Sequence, residues 1–154
     1  MKNRNLEHKD HWATPKDFLS KLEKEFGIMY DPCPLHSTFD GLKINWSKSN
    51  FINPPYSRKL KEAFINKAFE ESKKGKLCVM LLPVSTSTKI FHEIIISNAE
   101  VRFVKSRIPF RGVNTFGKKV GDGSVPMHDS MIVIFGRKSN LISLQYKIYK
   151  NNEK

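Results

Sequence analysis

The chain has 154 residues, 39% of them hydrophobic and 27% charged, with eight glycines and eight prolines. That length holds one domain with a real core and is too short for two comfortable ones, and the composition excludes fibrous and disordered classes. A surplus of 27 Lys and Arg over 15 Asp and Glu leaves a formal charge of +12, which points to a polyanionic partner, nucleic acid first. The plain alternative is a lysine-rich surface that serves solubility alone.

No apolar run approaches bilayer-spanning length, and Met1 to Asp10 lacks the apolar core of a secretion signal, so a cytoplasmic protein without membrane contact is expected. Cys33 and Cys78 form no paired spacing, and no second pair completes a site around Cys33 and His36. Neither a disulfide scaffold nor a bound metal is expected. The oligomeric state is left open.

Residues 1–10 read as a flexible basic tail and residues 11–150 as the folded domain. Thr14-Pro15-Lys16-Asp17 opens a helix, with Thr14 as N-cap and Pro15 at the first helical position. Phe18, Leu19, Leu22 and Phe26 recur at helical spacing until Gly27 ends the run. Ile28-Met29-Tyr30 predicts a short buried strand, halted by Asp31-Pro32-Cys33-Pro34 because proline cannot continue sheet pairing.

A second strand, Asn50-Phe51-Ile52, runs straight into Asn53-Pro54-Pro55-Tyr56. Leu60, Ala63, Phe64, Ala68 and Phe69 then mark one face of a helix that ends near Gly75. Leu77 to Leu82 predicts a strand buried on both faces, as in a parallel sheet, terminated by Pro83. Ile90, Phe91, Ile94 and Ile95 suggest another helix, and Val101 to Val104 a further strand. Met131 to Phe135 and the alternating Ile142, Leu144, Tyr146 and Ile148 suggest an antiparallel hairpin around Gly136 to Asn140. Between them, Arg107 to Asp129 has four glycines and little periodicity, and reads as a long basic loop suited to phosphate contact.

Helices alternating with buried strands imply an open α/β sheet whose ligands sit at the carboxyl ends of the strands, where both proline-rich turns fall. The turn Asn53-Pro54-Pro55-Tyr56 carries the most specific chemistry. An exocyclic amine on a nucleobase is a poor nucleophile because its lone pair is delocalised into the ring. The side-chain carbonyl of Asn53 and the backbone carbonyl of Pro54 can both accept its hydrogens, and the prolines, Pro55 included, hold those acceptors rigid. Tyr56 can stack on a base flipped out of its duplex. The plain alternative is a proline-bracketed turn with no chemistry.

This tetrapeptide resembles the catalytic motif of amino-group methyltransferases. The wider arrangement comprises His11-Trp12-Ala13-Thr14-Pro15, Asp31-Pro32-Cys33, Asp40-Gly41-Leu42 with Trp46, Asn53-Pro54-Pro55-Tyr56-Ser57, Leu81-Leu82-Pro83, and Arg102-Phe103 with Arg107-Ile108-Pro109-Phe110. From about Trp12 to Phe135 it is similar to the small phage-type, Dam-like family of DNA N6-adenine methyltransferases found in bacteriophages and prophages. The resemblance implies a single-domain, Rossmann-like α/β methyltransferase fold with a mostly parallel sheet, S-adenosylmethionine as methyl donor, DNA as partner, and the host cytoplasm as location if the chain is phage-encoded.

It further implies that Trp12, Thr14 and Pro15 close over the cofactor, that Asp31 and Pro32 lie against it, and that Asp40 contacts its adenine end. Trp46 is expected in the core. For DNA contact the sequence offers Arg58 and Lys59 just past the motif, and Arg107, Arg111, Lys118 and Lys119 in the long loop. One departure from the general methyltransferase pattern is the missing glycine-rich turn after the first strand, with only Leu35 to Phe39 separating the Asp31 and Asp40 turns. That departure sustains a rival reading, a catalytically silent DNA-binding module, while the loop chemistry alone also admits RNA adenine, cytosine N4 or a protein glutamine.

Overall fold

The computed structural model describes residues 11–113, 119–120, 128–137 and 149–150, with side chains placed for 13–110 and 128–137. The tail at 1–10, Lys118 and the alternating segment Ile142 to Ile148 lie outside the described residues. The elements run β1 (His11–Ala13), α1 (Lys16–Phe26), β2 (Ser49–Ile52), α2 (Arg58–Lys73), β3 (Leu77–Pro83), a π-helical turn (Phe91–Ile95) leading into α3 (Ile96–Asn98), β4 (Ala99–Lys105), β5 (Arg111–Val113), β6 (Lys119–Val120), β7 (Ser130–Phe135) and β8 (Tyr149–Lys150).

Five strands form the main sheet in the order β2-β3-β7-β4-β8. β2 pairs parallel with β3, and β4 with β8, while β7 lies antiparallel to both β3 and β4. The sheet is therefore mixed, which corrects the mostly parallel one expected. β3 and β4 occupy both edges of β7 along nearly its whole length, and the second strand of the expected C-terminal hairpin, Ile142 to Ile148, lies outside the described residues. Being antiparallel to the same strand, β3 and β4 run the same way as each other, and β2 runs with β3. The carboxyl ends of β2, β3 and β4 thus share one edge.

Side-chain alternation splits the core between the two faces of the sheet. Ile52, Cys78, Met80, Leu82, Val101, Met131 and Val133 pack with Phe64, Ile65 and Ala68 of α2 and with Phe91 and Ile95 of the π-helical turn. Phe51, Val79, Leu81, Val104, Ile132 and Ile134 pack with Phe18 and Leu22 of α1. A strand covered on both faces reads as an unbroken apolar run, which is why Leu77 to Leu82 was legible.

Three local expectations change. Ile28-Met29-Tyr30 is no buried strand: it makes one parallel bridge, Tyr30 to Asn50, and leaves Ile28 90% and Tyr30 40% exposed. The segment lies at the outer edge of the sheet, where only Met29 finds a core to pack against. The segment Arg107 to Asp129 is not wholly loop, because β5 pairs antiparallel with β1 and with β6 to make a separate three-stranded ribbon. Two- and three-residue strands leave no periodic trace in sequence. Finally, α1 is capped by Pro15, whose carbonyl accepts the N–H groups of Phe18 and Leu19, and Thr14 makes no cap hydrogen bond.

Charged side chains cluster toward the amino ends of β3 and β4. Arg102 stands on the α1 face in line with Val104, 3% exposed, and its guanidinium donates to both carboxylate oxygens of Glu25, at 2.7 and 2.8 Å, and to Glu100 at 2.6 Å. Arg137 joins the same Glu25 at 2.8 Å. Glu71, buried on α2, meets Lys67, Lys74 and Lys76, and Lys76 also donates to the Trp46 carbonyl at 2.7 Å. Burial alone would raise the Glu71 carboxyl; hydrogen bonds and charge from Lys76 and Lys74 outweigh it and hold the group below the ordinary carboxylate range. Among the described residues no helix is long and apolar enough to cross a membrane, and no group of three or more His, Cys, Asp or Glu could hold a metal ion.

Candidate active site

Asn53 is the first residue beyond the carboxyl end of β2, and the two prolines after it prevent further pairing, so the chain must leave the sheet there. Pro54 is buried and Asn53 half-buried. The bridge between Tyr30 and Asn50 runs parallel, so the residues following Tyr30 travel alongside β2 and bring Asp31 to Cys33 level with Phe51 to Asn53. Ala13, the last residue of β1, and Thr14, between β1 and α1, join them. The result is an open cleft of about 220 Å³. Its apolar wall is Leu19, Met29 and Phe51, its polar groups belong to Thr14, Asp31 and Asn53, and Ala13, Cys33, Leu35 and Pro55 complete it.

The amide of Asn53 donates from Nδ2 to Thr14 Oγ1 at 3.1 Å. Thr14 is thus turned from the helix cap expected of it toward the catalytic-motif residue. The Asp31 carboxylate accepts the Cys33 N–H at 2.8 Å, and among the described residues it has no ion pair. Although Asp31 is exposed on its outer side, crowding by protein atoms raises its pKa, and the Cys33 hydrogen bond opposes that rise. Burial, then the negative charges of Asp31 and Asp40, push the Cys33 thiol up to about 12. It is a neutral wall of the cleft, not a nucleophile.

Gly41 ties the two acidic turns together. A Cβ at this position would stand 2.0 Å from the Pro32 carbonyl oxygen, so only glycine permits the approach, and its own carbonyl accepts the Trp46 indole N–H at 2.8 Å. Trp46 is buried and stacks on Phe64 at 6.3 Å, the core role expected of it. Asp40 spends one oxygen on the Leu42 N–H at 3.0 Å, the other lies 3.8 Å from Lys43, and the residue is not in the cleft wall. Tyr56 is also outside that wall: its half-buried ring meets Phe110 edge-on at 6.1 Å and 89° and packs against the α1-side core.

Of the expected DNA contacts, Arg58 and Lys59 are exposed at the start of α2, with Arg58 3.3 Å from Glu62. Arg107 reaches Asp129 at 3.2 Å, an ion pair that joins the two ends of the basic segment. Arg111 lies on β5 and Lys119 on β6, where the backbone alone is described. The structure therefore gathers Thr14, Asp31 and Asn53 in one cleft, keeps Pro15, Pro32 and Pro54 in the backbone around it, and sets Asp40 and Tyr56 beside it. Trp12, on β1, is placed by its backbone only. Sequence reasoning passed over Leu19, Met29, Leu35 and Phe51. Phe51 could have been found, since it stands two residues before Asn53 in a strand and so faces the same side.

Comparison with known proteins gives this geometry a family. The profile of the family described as DNA N-6-adenine-methyltransferase (Dam) matches residues 2–154. The chain belongs to that family. A curated DNA N-6-adenine-methyltransferase of Escherichia phage T1 is 30% identical over 112 residues, covering 64% of this chain and 46% of that protein. This member of the Dam family therefore spans about half the length of the curated relative it matches. No solved structure matches it.

Proposed function

We propose that the chain transfers a methyl group from S-adenosylmethionine to the exocyclic N6 amine of adenine in DNA. The observation that carries this reading is the Asn53-Pro54-Pro55-Tyr56 turn at the carboxyl end of β2, opening onto a cleft whose chemistry suits that donor, in a chain of the Dam family. β2, β3 and β4 run the same way, and the cleft lies at the carboxyl end of β2 on the edge they share, which supports a Rossmann-like placement of the cofactor.

The cleft residues fit S-adenosylmethionine by their donor set. Asp31 offers a carboxylate to the ammonium of its amino-acid end, and Leu19, Met29 and Phe51 offer an apolar surface to its flat ring. The group, when bound, supplies an electrophilic methyl on a sulfonium, so the protein needs no strong general base. Asn53 Oδ1 and the Pro54 carbonyl accept the two hydrogens of the target amine, aiming its nitrogen and localising its lone pair. A base inside a duplex cannot reach these acceptors, so the adenine is flipped out. Tyr56, braced edge-on by Phe110 and just outside the cleft wall, is the ring assigned to stack on the flipped base. Arg58, Lys59, Arg107 at the start of the basic segment, and Arg111 and Lys119 on the ribbon, with Lys118 beside them in sequence, meet the phosphates.

The test is transfer of labelled methyl from S-adenosylmethionine to unmethylated duplex DNA, with digestion and mass identification of the nucleoside. We expect N6-methyladenine from the wild type, and none from Asn53→Ala despite retained cofactor binding. Near-normal turnover in Asn53→Ala would remove the assigned mechanism. Label found in cytosine, RNA or protein would transfer the reading to that substrate, and no transfer to any of them would favour a DNA-binding module without catalysis.

A further inference from the structure

Thr14 stands where three features of the chain meet. It directly follows β1, which is held by backbone pairing to β5 of the basic ribbon. It lines the cleft. Its hydroxyl oxygen accepts the Asn53 Nδ2–H at 3.1 Å across 39 residues of sequence. A threonine before a helix ordinarily caps that helix, and here the cap has been given up: Pro15 occupies the N-cap position and no side chain closes the first turn.

We propose that Thr14 is a positioning residue, whose hydroxyl fixes the rotation of the Asn53 amide so that the carbonyl, and not the NH2, is presented to the target amine. The inference rests on the reading of Asn53 as an acceptor for that amine. An amide is nearly symmetric in shape, so packing alone distinguishes its two ends poorly; a hydroxyl whose own proton is given to another acceptor in the cleft can only accept from the amide, and so selects its Nδ2 end. With the amide reversed, an NH2 donor would face an amine that is itself a donor, and the lone pair would lose the contact that localises it. A hydroxyl has two lone pairs and one proton, so accepting from Asn53 leaves Thr14 its proton to donate elsewhere in the cleft. Thr14 can therefore touch the cofactor as well, and the two roles are separable by experiment. Because β1 is paired to β5, the amide is also anchored to the ribbon expected to meet DNA, and not only to its own loop.

The experiment compares wild type, Thr14→Val, Thr14→Ser and Asn53→Ala in single-turnover and steady-state methylation of duplex DNA, with S-adenosylmethionine affinity measured calorimetrically and thermal unfolding recorded for each. Valine keeps the shape and removes the hydroxyl, while serine keeps the hydroxyl. We expect Thr14→Val to lower kcat between about tenfold and a hundredfold, with cofactor affinity changed less than about threefold, and Thr14→Ser to restore most of the rate. A fall in cofactor affinity with kcat at saturation intact would overturn the proposal and make Thr14 a cofactor ligand only. Equal losses in valine and serine variants would also overturn it, since the hydroxyl would then be immaterial. If Asn53→Ala itself remains active, the reading beneath has failed; if Asn53→Ala is dead and Thr14→Val is not, only the positioning role has.

Discussion

Two groups of charged and polar side chains occupy opposite ends of the same sheet, and they are treated in opposite ways. Toward the amino ends of β3 and β4, every buried charge meets its opposite: Arg102 is shared between Glu25 and Glu100, and Glu71 is held by three lysines. At the carboxyl ends, Asp31 has one backbone N–H and no ion pair among the described residues, and its pKa is raised where that of Glu71 is lowered. The first arrangement closes a structure. The second leaves a carboxylate whose environment improves when a cation arrives, which supports the binding role proposed for it.

The comparison can be broken most forcefully at Arg102. Arg102→Ala leaves Glu25 and Glu100 with the half-exposed Arg137 as their remaining cation, and should cost about 3 kcal/mol in denaturant unfolding. A loss under about 1 kcal/mol would mean that the pair is ornamental and that the amino end is no more structural than the cleft. Gly41→Ala should cost less, about 1–3 kcal/mol, because the new methyl must displace the Pro32 carbonyl. It should weaken cofactor binding at the same time by moving Asp31, so calorimetry and unfolding are to be run on one sample. Unchanged affinity would show that the Asp31 turn is not what Gly41 holds in place.

The smallest effect on stability, and the sharpest contrast, is expected of Asp31→Asn. A folded-state pKa raised above the ordinary 3.8 means that the charged form is disfavoured by folding, so this contribution to stability is present below 3.8 and lost as pH rises through the folded value. Removing the charge should leave unfolding at neutral pH unchanged or slightly improved, while S-adenosylmethionine affinity falls roughly tenfold to a hundredfold. A variant that loses stability and keeps affinity would reverse the roles assigned to the two ends.

Much of this was legible in the chain itself, for reasons that differ by element. α1 and α2 were visible because one face of each is buried, and periodicity records burial. β3 was visible because it is central and covered on both faces. The Asn53 turn was visible because two consecutive prolines after an apolar strand have few uses. What failed had no local record. The direction of β7 depends on which strands flank it, the ribbon β1-β5-β6 is built from strands too short to show alternation, and the exposure of Ile28 depends on the absence of a neighbour beyond it among the described residues. Asp40, expected by resemblance to contact the cofactor, gives one oxygen to the Leu42 N–H of its own loop and lies outside the cleft wall.

The sequence by itself determined the chemistry available to this protein: an amide and a rigid backbone carbonyl at a strand end, a carboxylate at a second turn, and a surplus of positive charge. Those are properties of residue types and their neighbours, and they survive any packing. Only the tertiary structure decided which of them act together. That Thr14 faces Asn53 and not its own helix, that Asp31 lies beside the same cleft, and that Gly41 locks the acidic turns together all depend on contacts between residues far apart in the chain, which no local pattern encodes.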